Sequence, residues 1–338
     1  GAKMSVSVCK VQFPSNKIDL FSDKLIFEPN QRYTFSYLKI TDNNVKVIDV
    51  CCNKSYSEIA CIVGELAEQS LLQEVYTTPK PGLVDLYSNG AHKDMNVVTF
   101  EKSARAIKPF FVEMTLEGMK NQSDLQKVFE NIRHIGIEAE KAMYKATGGV
   151  NTHKGLIFSL GILCASVGNC IVRGLKLTAQ NILFIEQLMV KKTLTDEILR
   201  LEKQTPKTHG ETILKNIGIT GARGEALSGY AVVWDIGIPV MLKGIEQKKD
   251  YNLVKLQTLL SYMSVIQDTN VISRTNVDTL ENTQNIAKQF LQTGGAYSES
   301  GIKKLLELDS IFIKKNISHG GCADLLAVTI FLSSVINK

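Results

Sequence analysis

The chain has 338 residues, of which 44% are hydrophobic and 22% charged, with a formal net charge of +5. That length supports one large domain or two moderate ones with a well-buried core. The small charge is carried by scattered lysines, which argues against a nucleic-acid binder and suits anionic small-molecule substrates. The seven cysteines are odd in number and form no CxxC pair. This disfavours a disulfide framework or a zinc site and fits free thiols in a reducing cytoplasm. Residues Gly1–Met4 read as a tag remnant ahead of an original Met4, with no signal peptide expected after them.

The first 54 residues differ from the rest. The stretch from Arg32 to Ile40 alternates aromatic and β-branched residues, Thr41–Asn44 has turn chemistry, and Val45–Val50 alternates again. This pattern predicts a β-hairpin, and residues 1–54 are expected to be a small β-rich extension. From residue 55 to 338 the apolar period is helical. Helices are expected from Ser55 to Tyr76 and near 99–118, 122–146, 155–174, 178–202, 209–217, 221–232, 235–245, 251–267, 276–292, 299–315 and 320–336. The expected fold is mainly α, an orthogonal multi-helix bundle behind a small N-terminal β-hairpin. Leu156–Val172 is apolar enough to resemble a membrane span, but it stands at the lower length limit and contains Asn169. It is read as a buried central helix whose Gly161, Ala165 and Gly168 admit close neighbours. No membrane partner is expected.

Five polar motifs sit where helices begin and end. The first runs from Thr78 through Pro79-Lys80-Pro81-Gly82-Leu83-Val84-Asp85 to Asn89-Gly90-Ala91-His92-Lys93-Asp94-Met95. Its two prolines forbid a helix around Lys80. Lys80 suits a phosphate, and Asp85 and Asp94 suit Mg²⁺, which prefers a few carboxylates plus phosphate oxygens. The plainer reading is a polar loop with Asp94 as a helix cap.

The second motif is Gly148-Gly149-Val150-Asn151-Thr152-His153-Lys154-Gly155. Gly-Gly ends one helix, and Asn151 or Thr152 can cap the next. A helix N-terminus beside Lys154 and His153 makes an anion site. His153 can equally be a satisfied turn histidine. The third motif joins His209-Gly210-Glu211 to Gly221-Ala222-Arg223-Gly224-Glu225. Arg223 is a candidate phosphate fork oriented by Glu225, although a plain helical corner fits the same residues. The fourth is Asp268-Thr269-Asn270 with Arg274, oxygen ligands at a helix end that suit a metal or ribose hydroxyls. The fifth is Ser318-His319-Gly320-Gly321-Cys322-Ala323-Asp324, with Ser318 as a plausible cap and glycines that let a ligand approach the backbone. Four of the five histidines lie in these loops. His134, mid-helix, is read as structural. Together the motifs suggest a site for a polyphosphate with Mg²⁺, without a Ser-His-Asp nucleophile.

These motifs, in this order and over about residues 56–336, resemble the triphosphoribosyl-dephospho-coenzyme A synthase family, which makes the prosthetic-group precursor of citrate lyase or malonate decarboxylase. Two positions depart from that pattern. His319 stands where the family has Pro, and Thr275 where Gly tends to follow the arginine. The resemblance implies a cytoplasmic transferase that moves the triphosphoribosyl unit of ATP to the ribose 2′-hydroxyl of 3′-dephospho-coenzyme A and releases adenine. It also allows citrate lyase maturation proteins as partners.

Carried onto this sequence, the expected catalytic set is Asp85, His92, Asp94 and His153. The expected substrate-binding set is Lys80, Asn151, Thr152, Lys154, Arg223, Glu225, Asn270, Arg274, Ser318, Gly320 and Gly321. Asp85, Asp94 and Asp268 are the expected Mg²⁺ carboxylates. An Mg²⁺-dependent N-ribosyl hydrolase and a non-catalytic nucleotide-binding scaffold are the competing readings.

Overall fold

The computed structural model describes residues 6–12, 32–41, 44–53, 56–120, 123–203 and 220–336, for the first three segments as backbone alone. The chain divides into two compact units, Gly1–Cys61 and Ile62–Lys338. In the first unit, strands β1 (Val6–Gln12), β2 (Arg32–Thr41) and β3 (Asn44–Asn53) pair antiparallel in the order β1-β2-β3.

The rest of the described chain is α-helical, so the protein is mainly α. The helices are α1 (Tyr56–Val75), α2 (Val97–Lys120), α3 (Leu125–Thr147), α4 (Lys154–Val172), α5 (Ala179–Lys203) and α6 (Gly221–Leu227). They continue as α7 (Ile238–Glu246), α8 (Tyr251–Met263), α9 (Thr269–Arg274), α10 (Val277–Gln292), α11 (Gly301–Lys314) and α12 (Gly320–Ile336).

Local chemistry sets the helix ends. Asp124 accepts the Lys127 N–H to start α3, Asp250 accepts that of Leu253 for α8, and Asn276 accepts that of Thr279 for α10. Gly148 ends α3 in the left-handed region at φ 67°, and the N–H groups of Gly148 and Gly149 both return to the Tyr144 carbonyl.

Two boundaries differ from the sequence reading. The helix expected over 221–232 stops at Leu227. Gly229 and Tyr230 then take positive φ, and a π-helical turn over Val233–Gly237 leads into α7. The helix expected over 251–267 stops at Met263, because Asp268 starts the separate short helix α9. The helix expected over 209–217 lies outside the described residues.

Helix α4 forms the centre. It is the one helix among the described residues long and apolar enough to cross a membrane, and most of it is buried against its neighbours. The close approach expected of its small residues is real. A Cβ on Gly168 would stand 2.2 Å from the Thr115 carbonyl of α2, and one on Gly118 of α2 would stand 2.0 Å from the Ala165 carbonyl. Asn169, fully buried in this apolar helix, donates to the Gly118 carbonyl at 3.0 Å and accepts from Arg173 Nε at 2.6 Å. Its polar atoms are thus satisfied inside the core. α2 packs on α3 and α4, and α12 and α8 close the far side. The starts of α4, α6, α9 and α12 reach a single cavity.

Candidate active site

The first motif forms the connection from α1 to α2, and its shape is fixed by buried carboxylates. Asp85 accepts the Lys80 N–H at 2.6 Å through one oxygen, and those of Tyr87 and Ser88 at 2.7 and 2.8 Å through the other. Asp309 of α11 accepts the Gly82 N–H at 2.8 Å and the Ser88 hydroxyl at 3.1 Å. Gly82 sits at φ +73°, and any Cβ there would collide with the Ile317 carbonyl. Lys80 is 1% exposed, and its ammonium pairs with the Glu74 carboxylate and donates to the Glu74 carbonyl. Asp85 and Lys80, expected at metal and phosphate, are therefore engaged in building the loop. Asp94 is exposed, and none of these three lines the cavity.

The cavity has a volume of about 880 Å³ and is walled by residues of all five motifs. His92 and Met95 come from the first, and Asn151, Thr152, Lys154 and Gly155 from the second. Gly221 and Glu225 come from the third, Asp268, Asn270 and Arg274 from the fourth, and Ser318, Gly320, Gly321 and Asp324 from the fifth. Thr269 of the fourth motif lines it too, as do Glu74, Ser159 and Asp235, which sequence reading did not select. Glu74 carried one usable signal: it is an acid in the last turn of α1, six residues before Lys80.

His92 Nε2 lies 2.9 Å from Ser318 Oγ. Burial and the nearby Arg274 lower the pKa of this imidazole, against a smaller opposing effect of Asp94. The Arg274 guanidinium donates to the Ala91 carbonyl and to Asn316, so it fastens the first motif to the loop before α12. Asp268 has the same bridging character. It accepts the Asn270 N–H at 2.9 Å and the Cys322 N–H at 3.0 Å, capping α9 and α12 with one carboxylate. The expected caps of α4 and α12 differ. His153 precedes α4 with no side-chain cap bond, although Asn151 accepts the Lys154 N–H at 3.3 Å.

Acids face these bases. Burial raises the Asp324 pKa well above the usual range, helped by the charges of Glu74 and Asp268. Burial also raises Glu225. Glu74 is raised by burial, which outweighs its Lys80 partner. Shifted acids of this kind cluster at functional sites.

Two histidines of the motifs stay off the wall. His153 is 1% exposed. Its Nδ1 meets Ser103 Oγ at 2.7 Å, its ring lies edge-on to Phe100, and burial pushes its pKa down to about 3. His319 is fully buried against Phe312, with Nε2 3.1 Å from Thr283 Oγ1. Arg223 lines an adjoining apolar chamber. It faces Glu197 at 3.7 Å, whereas Glu225, expected as its partner, lines the polar cavity. His209 to Glu211 lie outside the described residues. His134 is exposed on α3.

No group of three or more His, Cys, Asp or Glu able to hold a metal ion occurs among the described residues. Asp268 is the one expected metal carboxylate on the cavity wall, and both of its oxygens already accept backbone N–H groups.

Residues 62–338 match the family model described as ATP:dephospho-CoA triphosphoribosyl transferase. The chain is 42% identical over 276 residues, 81% of its length and 87% of the relative's, to a probable 2-(5''-triphosphoribosyl)-3'-dephosphocoenzyme-A synthase of Photobacterium profundum. It is 40% identical over 269 residues, 79% of this chain and 86% of the relative, to the Vibrio cholerae protein of the same description. It is also 41% identical over 281 residues, 82% of this chain and 59% of the relative, to Protein CitXG of Leuconostoc mesenteroides. No solved structure matches. With the family match running through every motif on the cavity wall, the chain belongs to the ATP:dephospho-CoA triphosphoribosyl transferase family and is an enzyme of that family.

Proposed function

We propose that this enzyme transfers the triphosphoribosyl unit of ATP to the ribose 2′-hydroxyl of 3′-dephospho-coenzyme A and releases adenine. The carrying observation is the convergence of five separated motifs on one cavity that holds both a neutral imidazole and shifted carboxyl groups. The reaction forms a bond from the acceptor 2′-oxygen to the anomeric carbon and breaks the bond from that carbon to the adenine nitrogen. His92 accepts the proton of the 2′-hydroxyl, oriented through Ser318. Asp324 or Glu225 donates a proton to the departing adenine. Asp268 is assigned to offsetting oxocarbenium-like charge at the anomeric carbon, by analogy with glycosyl transfer.

Lys154, the backbone at Gly320 and Gly321, and the first turns of α4 and α12 receive the triphosphate. Asn151, Thr152 and Asn270 supply hydrogen bonds to ribose or phosphate. Asp268 would be the protein carboxylate nearest to Mg²⁺ brought by the triphosphate, where the metal would offset phosphate charge. The product is assigned to the maturation of citrate lyase or malonate decarboxylase, with the corresponding maturation proteins as partners. The reaction is assigned to the cytoplasm, consistent with free Cys61, Cys164, Cys170 and Cys322.

The deciding assay is chromatography of ATP incubated with the enzyme, with and without 3′-dephospho-coenzyme A. Adenine released in step with acceptor consumed supports transfer. Adenine without acceptor indicates a hydrolase, and ADP or AMP alone rejects the reading.

Residues 1–54 are proposed as an extension separate from a catalytic domain of residues 55–338, with β2 and β3 as its hairpin. A chain starting at residue 55 is expected to keep adenine release within about threefold of the full chain, a change of under about 1 kcal/mol. A chain that folds yet is inactive would place residues 1–54 in the catalytic unit.

A further inference from the structure

Beside the polar cavity lies a second chamber of about 380 Å³, enclosed by α2, α3, α4 and α5. Its body is aliphatic and aromatic, including Met114, Phe129, Ile132, Ile157 and Phe158. The two spaces share a neck, because Lys154, Gly155, Thr220, Gly221, Ala222 and Thr269 line both. Cations gather at the chamber mouth. Lys154 pairs with Glu140 at 2.9 Å, while Arg133 and Arg223 share the single carboxylate of Glu197. Among the described residues three cations there meet two carboxylates, and all three side chains are 40% exposed or more.

We infer that this chamber is the subsite for the pantetheine arm of the acceptor, with the acceptor's diphosphate held at the mouth by Arg223 and Arg133. The inference rests on the proposed transfer and deepens it. The order of chemistry along the wall is the reason. The polar cavity takes the reacting riboses and the triphosphate. A cationic mouth follows, and then an apolar pocket. In dephospho-coenzyme A the order is the same: ribose, diphosphate, then an arm with geminal methyls and methylene segments. The donor has no such segment. Its adenine carries polar atoms around the whole ring, whereas the arm alternates two amides and a hydroxyl with geminal methyls and methylenes that suit these walls. A mostly apolar pocket with a few polar groups at one end is the usual form of a site for such a ligand. Arg223, which lines this chamber and not the polar cavity, thereby gains a phosphate to bind.

Gly136 of α3 provides the test. It lines the chamber, and a Cβ there would make only ordinary contacts, at 3.7 Å to Met114 and 3.8 Å to Ile157. Gly136→Leu therefore fills the chamber with little disturbance at its root, and Gly136→Ala is the control. Gly136→Leu is expected to raise KM for dephospho-coenzyme A about tenfold or more while KM for ATP stays within about twofold. In the unaltered enzyme 4′-phosphopantetheine is expected to inhibit competitively against dephospho-coenzyme A, and to lose this effect in Gly136→Leu. Ile137→Glu, at a rim position that is 51% exposed, is a second variant that keeps the core intact and is expected to act in the same direction.

A rise in KM for ATP alone would assign the chamber to the donor's base and overturn the inference. Unchanged KM values in both folded variants would also overturn it. If the unaltered enzyme fails to transfer at all, the proposed function falls separately. Calorimetric titration of 4′-phosphopantetheine then decides the chamber: binding that Gly136→Leu abolishes supports it, and no binding rejects it.

Discussion

His92 and Ser318 meet across 226 positions of sequence, with imidazole Nε2 2.9 Å from the serine Oγ. The contact ties the loop after α1 to the start of α12 at the cavity wall. Burial and Arg274 hold the imidazole below its ordinary pKa of 6.5, so it is neutral and able to accept a proton at neutral pH. His92→Asn is expected to lower kcat by about 10²–10⁴-fold with a small change in KM for ATP. The acid limb of kcat/KM should fall below pH 6.5. Arg274→Gln removes a positive charge that disfavours the imidazolium, so the limb should move upward. An unmoved limb in pH–rate profiles would remove His92 from the base role.

Lys80 offers a test of structure against binding. Its ammonium is buried on Glu74, and removing one partner of such a pair leaves the other uncompensated. Lys80→Met is expected to cost about 3 kcal/mol in denaturant unfolding. Lys80→Met combined with Glu74→Gln should recover much of that loss, because the double variant leaves neither member of the pair charged. A large rise in KM for ATP at unchanged stability would instead return Lys80 to phosphate binding.

The crossing of α2 and α4 depends on missing side chains. Gly118→Ala sets a methyl group against the Ala165 backbone, which cannot rotate away. The expected loss is about 3 kcal/mol, the upper part of the overpacking range. Gly136→Ala, whose Cβ would make only ordinary contacts with Met114 and Ile157, should be neutral or stabilise by up to about 1 kcal/mol. Equal effects of the two in thermal unfolding would reject this account of the crossing.

His153 gives stability a pH dependence. Its folded pKa is about 3 against an ordinary 6.5, so burial favours the neutral ring. The contribution is complete above pH 6.5 and is lost as pH falls from there toward 3, at up to about 1.4 kcal/mol per pH unit. His153→Gln should flatten that part of the stability curve. Chemical unfolding of both proteins at pH 7, 6 and 5 measures the difference, and parallel curves would exclude His153 as its source.

Most of the helices were legible because their apolar residues recur with the helical period and their ends carry Asp, Asn or Gly. α3 runs from the Asp124 cap to Gly148, as such chemistry predicts. The break at Leu227 had a local signal that the apolar period overrode in the reading: Gly229 takes φ 68°, and the Tyr230 N–H returns to the Glu225 carbonyl at 2.8 Å, a left-handed glycine stop. The motifs were legible as polar residues at helix boundaries, where unpaired backbone groups need partners.

The individual roles were not legible in the same way. A carboxylate reads the same in sequence whether it binds a ligand or a backbone. Asp85 is surrounded by three N–H groups of its own loop, and His153 is closed in by Ser103 and Phe100. Sequence alone determined the mainly helical class, the central apolar helix and the set of motifs from which the site is drawn, because these depend on local period and composition. Only the tertiary structure decided which members of that set share a wall. Burial and the direction of each side chain are set by residues tens to hundreds of positions away, as Asp268 shows when it accepts the Cys322 N–H from 54 positions further on.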